Sequence, residues 1–177
     1  MENQYLDSNL DRDLAPLNYG SFLRRLAATF IDGLVFSVLF LVLLAATGGI
    51  GKIIAVANDL KEDGGDVDAA ALALVSTFLT AILGLTVLQW LYYAYLESSE
   101  KQGTLGKQAM SLIVTDINGD RLTFGKASIR HFARIVPTFI PLVGTLFFLA
   151  DYLCQPFTEK KQTLHDMMAG ALVLKQK

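Results

Sequence analysis

Cysteine, histidine and charge are all scarce in this sequence of 177 residues. The one cysteine, Cys154, excludes an internal disulfide framework and any cysteine-based zinc cluster. Asp, Glu, Lys and Arg make up only 18% of the chain, below the share of about a quarter usual for a soluble domain. Fifteen Lys and Arg against seventeen Asp and Glu leave a formal net charge of −2. That balance excludes a generally basic nucleic-acid binder and a highly charged disordered chain. What is abundant is apolar: 53% of the residues are hydrophobic and the mean hydropathy is +0.42, a composition that points to a bilayer.

The order of these residues sharpens the reading. Residues 1–18 are polar and acidic, with no basic start and early apolar run of the kind a secretory signal needs, so they read as a solvated tail. Phe22 to Ala46 is apolar apart from Arg24, Arg25 and Asp32. It exceeds the roughly 20 residues that cross a hydrocarbon core, so it is expected to be a first span. Thr47-Gly48-Gly49-Ile50-Gly51 breaks it, and an acidic loop follows to Asp68, with room for a short interfacial helix near Ile53 to Leu60. Residues 69–96 form a second span without one acidic or basic side chain. Ala69, Ala73, Thr77, Ala81 and Gly84 run down one face, a strip suited to close helix contact, first with another helix of the same chain and alternatively across a dimer. Trp90, Tyr92, Tyr93 and Tyr95 are expected where this helix leaves the core.

Residues 97–126 are polar again. Asn118-Gly119 is a two-residue turn signal between Ser111–Thr115 and Arg121–Phe124, which predicts a small β-hairpin outside the bilayer. Asp116-x-Asn118-Gly119-Asp120 lacks the glycine spacing and distant glutamate of a calcium loop. Residues 127–157 begin amphipathically, then meet Pro137, Pro141 and Gly144, so a straight helix is disfavoured. The expected fold is therefore an all-α integral membrane protein: two clear transmembrane helices, a third proline-broken membrane-embedded segment, and the small cytoplasmic hairpin. A polar tail over 1–18 would precede a single domain over 19–175.

Basic residues accumulate on the cytoplasmic side of short loops. Arg12, Arg24 and Arg25 precede the first span; Lys101, Lys107, Arg121, Lys126, Arg130 and Arg134 follow the second. This orientation puts the N-terminus on the cytoplasmic side. A re-entrant hairpin centred on residues 137–144 keeps Lys160, Lys161, Lys175 and Lys177 on that same side, whereas a third full crossing would export them. A strand over Ala171–Leu174 could also cover the β-hairpin only from the same side.

The candidate chemistry lies in the buried charges. Asp32 stands roughly 15 Å along the helix from Phe22, near the middle of the core. Its carboxylate there requires a cation, a proton, or donors in a protein-lined cavity. Arg25 faces the same way but sits roughly 10 Å along the axis, too far to close the pair unaided. Arg130, Arg134, Gln89, Tyr92 and Tyr93 are the candidate partners. The functional reading makes Asp32 a proton or monovalent-cation site; the structural one makes it a knot that fixes helix docking. Asp151 is a second candidate acid, with an interfacial position the alternative. Thr163 or Asp166 is placed to cap a short helix beside His165. Two histidines, His131 and His165, make a weak case for metal, and Gly103-Thr104-Leu105-Gly106-Lys107 has the wrong spacing for a phosphate loop. No nucleophile–base pair stands out, so neither enzymatic chemistry nor a cofactor is expected.

Taken together, Arg24-Arg25-Leu26-Ala27-Ala28, Ile31-Asp32, Gly103-Thr104-Leu105-Gly106-Lys107, Gly119 to Arg134, and Leu164-His165-Asp166 with Ala169-Gly170 and Val173 resemble the RDD family of small bacterial membrane proteins. The family is named for one arginine and two aspartates. The resemblance implies that Arg25, with Arg24 the alternative, is the arginine and Asp32 the first aspartate. Asp166 fits the second best, with Asp151 a contributor and Arg24, Arg130, Arg134 and His165 in support. Ala171 stands where many relatives carry threonine. The resemblance implies the architecture first, and transport as an activity. The expected function is ion- or proton-coupled transport or antiport at an intramembrane Asp–Arg site, in a homo-oligomer or with another membrane protein. The alternative is a membrane scaffold or accessory subunit that docks a partner through its hairpin and basic faces.

Overall fold

The computed structural model describes residues 18–59, 61 and 67–176. The polar tail expected for residues 1–18 lies, apart from Asn18, outside the described residues. Helix α1 spans Phe22–Ala46, capped by Ser21, whose hydroxyl accepts from Arg24 N. Its buried residues are Arg25, Ala28, Asp32, Phe36 and Leu44, a stripe at helical spacing. Leu23, Phe30, Leu34, Val38 and Leu41 face outward. The polar side chains are inside and the large apolar ones outside, the reverse of a water-soluble helix and the pattern a lipid solvent imposes.

The chain turns at Gly48, in the left-handed region at φ +68°, into helix α2, Gly49–Asp59. The glycines expected to break the helix thus begin a new one. A Cβ at Gly49 would meet Leu44 Cδ1 at 2.6 Å and Thr77 Cγ2 at 3.0 Å, so glycine lets α2 close against helix α3, Val67–Ser98. Of the strip on α3, Thr77 and Ala81 are buried, Gly84 faces Leu43 and Ala73 is half-buried, while Ala69 is exposed and its neighbour Ala70 is buried instead. From Thr77 to Gly84 the strip of small residues therefore serves contacts within the chain. Helices α1 and α3 are both long and apolar enough to cross a membrane. The aromatics at the end of α3 do not mark a boundary as a group. Tyr95 is exposed, but Tyr93 is buried, Trp90 Nε1 donates to Ser128 Oγ at 3.0 Å, and Tyr92 turns inward.

Past α3 the chain builds a cap around the first turns of α1. Helix α4 is Leu105–Ala109, strand β1 is Leu112–Asp116, and β1 pairs antiparallel with β2, Ala171–Lys175. Val114 faces Val173 in this register. The expected hairpin partner, Arg121–Phe124, makes only one bridge, Thr115 to Arg121. The turn does form: Asp116 Oδ1 accepts from Asn118 N at 2.8 Å and Asp120 N at 3.0 Å, with Gly119 at φ +86°. The returning strand stops because the Thr123 hydroxyl accepts from Lys126 N and starts helix α5, Phe124–Ile135. The C-terminal strand takes the place beside β1. Tyr19 bridges Leu174, and Gly20 N donates to Val173 O at 2.9 Å, so the start of α1 and the end of the chain lie together.

The proline-broken segment is a bent pair of helices. Helix α5 runs into a 3-10 turn at Val136–Phe139, and helix α6 follows over Val143–Leu153. A Cβ on Gly144 would lie 2.7 Å from Thr138 Cα, which is how the two arms close at the bend. At 1.5 Å per residue each arm measures roughly 16–18 Å, about half a hydrocarbon core. Helix α7, Leu164–Ala169, then enters on a capping box between Thr163 and Asp166 and leaves through Gly170 at φ +59° into β2. Leu112, Val114, Leu122, Ala127, Ala171 and Val173 belong to the small apolar core of the cap.

Candidate functional site

Two groups of buried polar residues lie where the cap meets the spans. In the first, α1 supplies Asp32, only 2% exposed, and the polar segment before α4 folds onto it. The Thr104 hydroxyl donates to Asp32 Oδ2 at 2.7 Å, Gly106 N donates to Oδ1 at 2.8 Å, and the Tyr92 hydroxyl donates to Oδ1 at 2.8 Å. Tyr92 in turn accepts from Leu105 N at 3.0 Å. A Cβ at position 106 would fall 2.1 Å from Ala28 O and 2.9 Å from Asp32 Cγ, so the approach requires glycine. Thr104 and Gly106 come from the stretch that resembles a phosphate loop; here they clasp a carboxylate. Of the candidate partners for Asp32, Tyr92 is the one found. Among the described residues no cation forms an ion pair with Asp32.

The expected Asp32–Arg25 site is therefore not assembled. The helical rise separates them, and Arg25 lies one level nearer the cap. There its Nη1 meets Asp166 Oδ2 at 2.6 Å and its Nη2 donates to Lys161 O at 2.6 Å. Arg24 donates to Met110 O at 3.0 Å instead. Arg130, from α5, completes the second group. Its Nε donates to Asp166 Oδ1 at 2.7 Å, and its Nη1 reaches both Glu97 oxygens at 2.7 Å. Lys107 forms an ion pair with Glu97. Asp151 is 1% exposed: it accepts from His165 N at 2.9 Å, and its Oδ2 lies 2.6 Å from His165 Nδ1. Asp166 caps α7 and bridges both arginines. Thr163 Oγ1 lies 3.2 Å from the His165 ring, yet it is committed as the cap acceptor of Asp166 N and is 2% exposed.

Burial and charge set the protonation of this group. Burial pulls the Lys107 ammonium down to about 8, with Arg130 pushing the same way. For Asp166, burial acts upward but is outweighed by Arg130, His165 and Arg25, which hold the carboxyl far below its usual range. His165 is lowered, chiefly by burial. Burial of Arg130 is outweighed by Asp166 and Glu97, which raise it. A buried network of this kind is stable only when each charge is paired.

Two side chains of α5 stand beside the network. The Arg134 guanidinium lies 4.7 Å from the centre of the Tyr93 ring. His131 is 4% exposed and packs on the Tyr93 ring at 5.5 Å, with neither ring nitrogen hydrogen-bonded. Burial, followed by Arg134, lowers it to about 4. Sequence reasoning passed over Glu97 and Lys107 because each sits in a polar stretch where solvent is the default partner. Thr104 and Gly106 were legible as part of a rejected phosphate-loop motif and of the family resemblance, without a role assigned to either.

The RDD family model matches residues 19–170, which contain Arg25, Asp32 and Asp166. An uncharacterized protein of Bacillus subtilis strain 168, YxaI, is 34% identical over 152 residues, covering 85% of this chain and 93% of the relative. No solved structure matches. The chain, with its membrane-type helices and its arginine clasped to a distant aspartate, belongs to the RDD family.

Proposed function

We propose that the protein is a multi-pass inner-membrane protein in proton- or cation-coupled transport, with Asp32 as the exchanging group. One observation carries the reading: a fully buried carboxylate is held by three neutral donors and, among the described residues, no ion-paired cation. Taking up a proton or a monovalent cation there changes the local charge without breaking a salt bridge. The Arg25–Asp166–Arg130–Glu97 network acts as the fixed frame that presents Asp32, rather than as part of the exchange. Two spans make a thin wall, so the working unit is an oligomer or includes another membrane protein. The juxtaposed ends of the chain and the basic cap support a cytoplasmic cap.

Reconstituted protein tests this. Wild-type proteoliposomes under a pH gradient should show cation-dependent proton flux. Asp32→Asn should lose it while retaining a folded, monodisperse profile. Flux unchanged in that variant, or absent in the wild type, removes the proposal.

The closed charge network favours a second reading, a scaffold whose cap is locked onto its spans to dock a partner. In that case Asp32→Asn lowers thermal stability and partner recovery, with no flux to lose.

A further inference from the structure

A cavity of about 380 Å³ opens between α1 and α3. Gly33, Ser37 and Phe40 line it from α1, Leu85 and Gln89 from α3, and the Arg134 guanidinium closes one end. From Thr29 to Phe40 the α1 wall rises about 16 Å. The volume falls in the range of about 300–1,000 Å³ of small-molecule sites. Its chemistry is lopsided. The walls away from Arg134 are apolar or uncharged, no acid lines them, and among the described residues no carboxylate forms an ion pair with Arg134. The two buried arginines, Arg25 and Arg130, each have an acid partner within 2.7 Å, whereas half-buried Arg24 donates to a backbone carbonyl and half-buried Arg134 lies over the Tyr93 ring.

Gly33 sharpens the point. A Cβ there meets nothing within 4 Å, so its small size is not needed for packing inside the chain. It keeps the groove open.

We propose that this groove binds one anionic phospholipid from the bilayer, its phosphate on Arg134 and an acyl chain along the α1–α3 wall. A planar guanidinium matches phosphate oxygens with two hydrogen bonds, and it is attracted more strongly in a dry setting. The Tyr93 ring holds the guanidinium in position from one side. The adjoining groove is apolar where it descends between the spans, as a lipid tail requires. This binding goes beyond the transport reading and stands whether or not flux is found.

Purified protein in neutral detergent is titrated with phosphatidylglycerol and, separately, with phosphatidylcholine of the same chains; bound lipid is counted by native mass spectrometry and stability followed by thermal unfolding. The wild type should prefer phosphatidylglycerol by about tenfold or more, the scale of one charge-assisted pair. Arg134→Gln should erase the preference, and Arg134→Lys should restore part of it. Gly33→Leu should fill the groove and lose both lipids while the protein stays folded. Equal binding of the two lipids, or a preference that survives both Arg134→Gln and Gly33→Leu, overturns the assignment. An equal effect of glycerol phosphate overturns it in favour of a free anion. A disulfide-linked dimer of Ser37→Cys in native membranes overturns it in favour of a second copy.

Discussion

The Arg25 guanidinium and the Asp166 carboxylate meet at 2.6 Å although 141 positions separate them in the chain. This contact joins the first turn of α1 to the last short helix, and Arg130 holds the other oxygen of the same carboxylate. It links the two ends of the domain at a place where solvent is excluded. Removing one partner leaves an unpaired buried charge, which costs far more than the pair contributes.

Asp166→Asn and Arg25→Ala should each destabilise the protein by about 3–5 kcal/mol. Thermal unfolding in detergent measures this, and the double variant should be much less than additive because both changes break one contact. Additive losses would mean that the two residues act separately.

Gly106 and Gly33 should respond in opposite ways to the same methyl group. At Gly106 the added carbon would meet the Ala28 carbonyl at 2.1 Å, a backbone atom that cannot swing aside. Gly106→Ala should therefore lift α4 from α1, release Asp32, and cost about 3 kcal/mol. Gly33→Ala enters open space on a helix, where alanine is favoured by about 0.5–1 kcal/mol. Unfolding midpoints moving in the same direction would contradict the packing described.

Stability should fall as the medium is acidified, with His131 a principal cause. Its folded pKa of about 4 lies below the ordinary histidine value of 6.5. Between these values the unfolded chain binds the proton and the folded chain resists it, so stability is lost as pH falls through that window. The loss from this group is on the order of 2–3 kcal/mol. His131→Phe keeps a ring against Tyr93, removes two unpartnered nitrogens, and should flatten the profile between pH 6.5 and 4. Asp166 adds its own loss only in stronger acid, because its carboxyl is held far below the usual range. An unchanged pH profile in the His131 variant would place the sensitivity elsewhere.

The spans were legible because lipid imposes length and apolarity along one segment at a time. Phe22–Ala46 is bounded where the residues change character, and α3 extends two residues past the apolar run at each end. The turn at Asn118-Gly119 is equally local. Pairing was harder. Arg25 faces Asp32 along its own helix, and only the return of the chain from α6 puts Asp166 closer. Glu97 follows an apolar run and begins a polar one, so nothing local distinguishes a buried acid from a solvated one. The β-hairpin failed for a similar reason: Thr123 serves as a helix cap, and that competes with strand pairing after the turn.

The last prediction concerns the side of the membrane on which Asn18 and Lys175 meet. Lys175 N donates to Asn18 O at 2.7 Å, so the N-terminal and C-terminal ends of the domain share one face. Lys52, in α2, follows the first span and is expected on the other face. Single cysteines at Asn18, Lys52 and Lys175, in a Cys154→Ser background, can be labelled with a membrane-impermeant thiol reagent. Inside-out vesicles should expose positions 18 and 175, and right-side-out vesicles position 52. Labelling of 18 and 175 from opposite faces would require the bent pair α5–α6 to cross, and would separate β2 from β1.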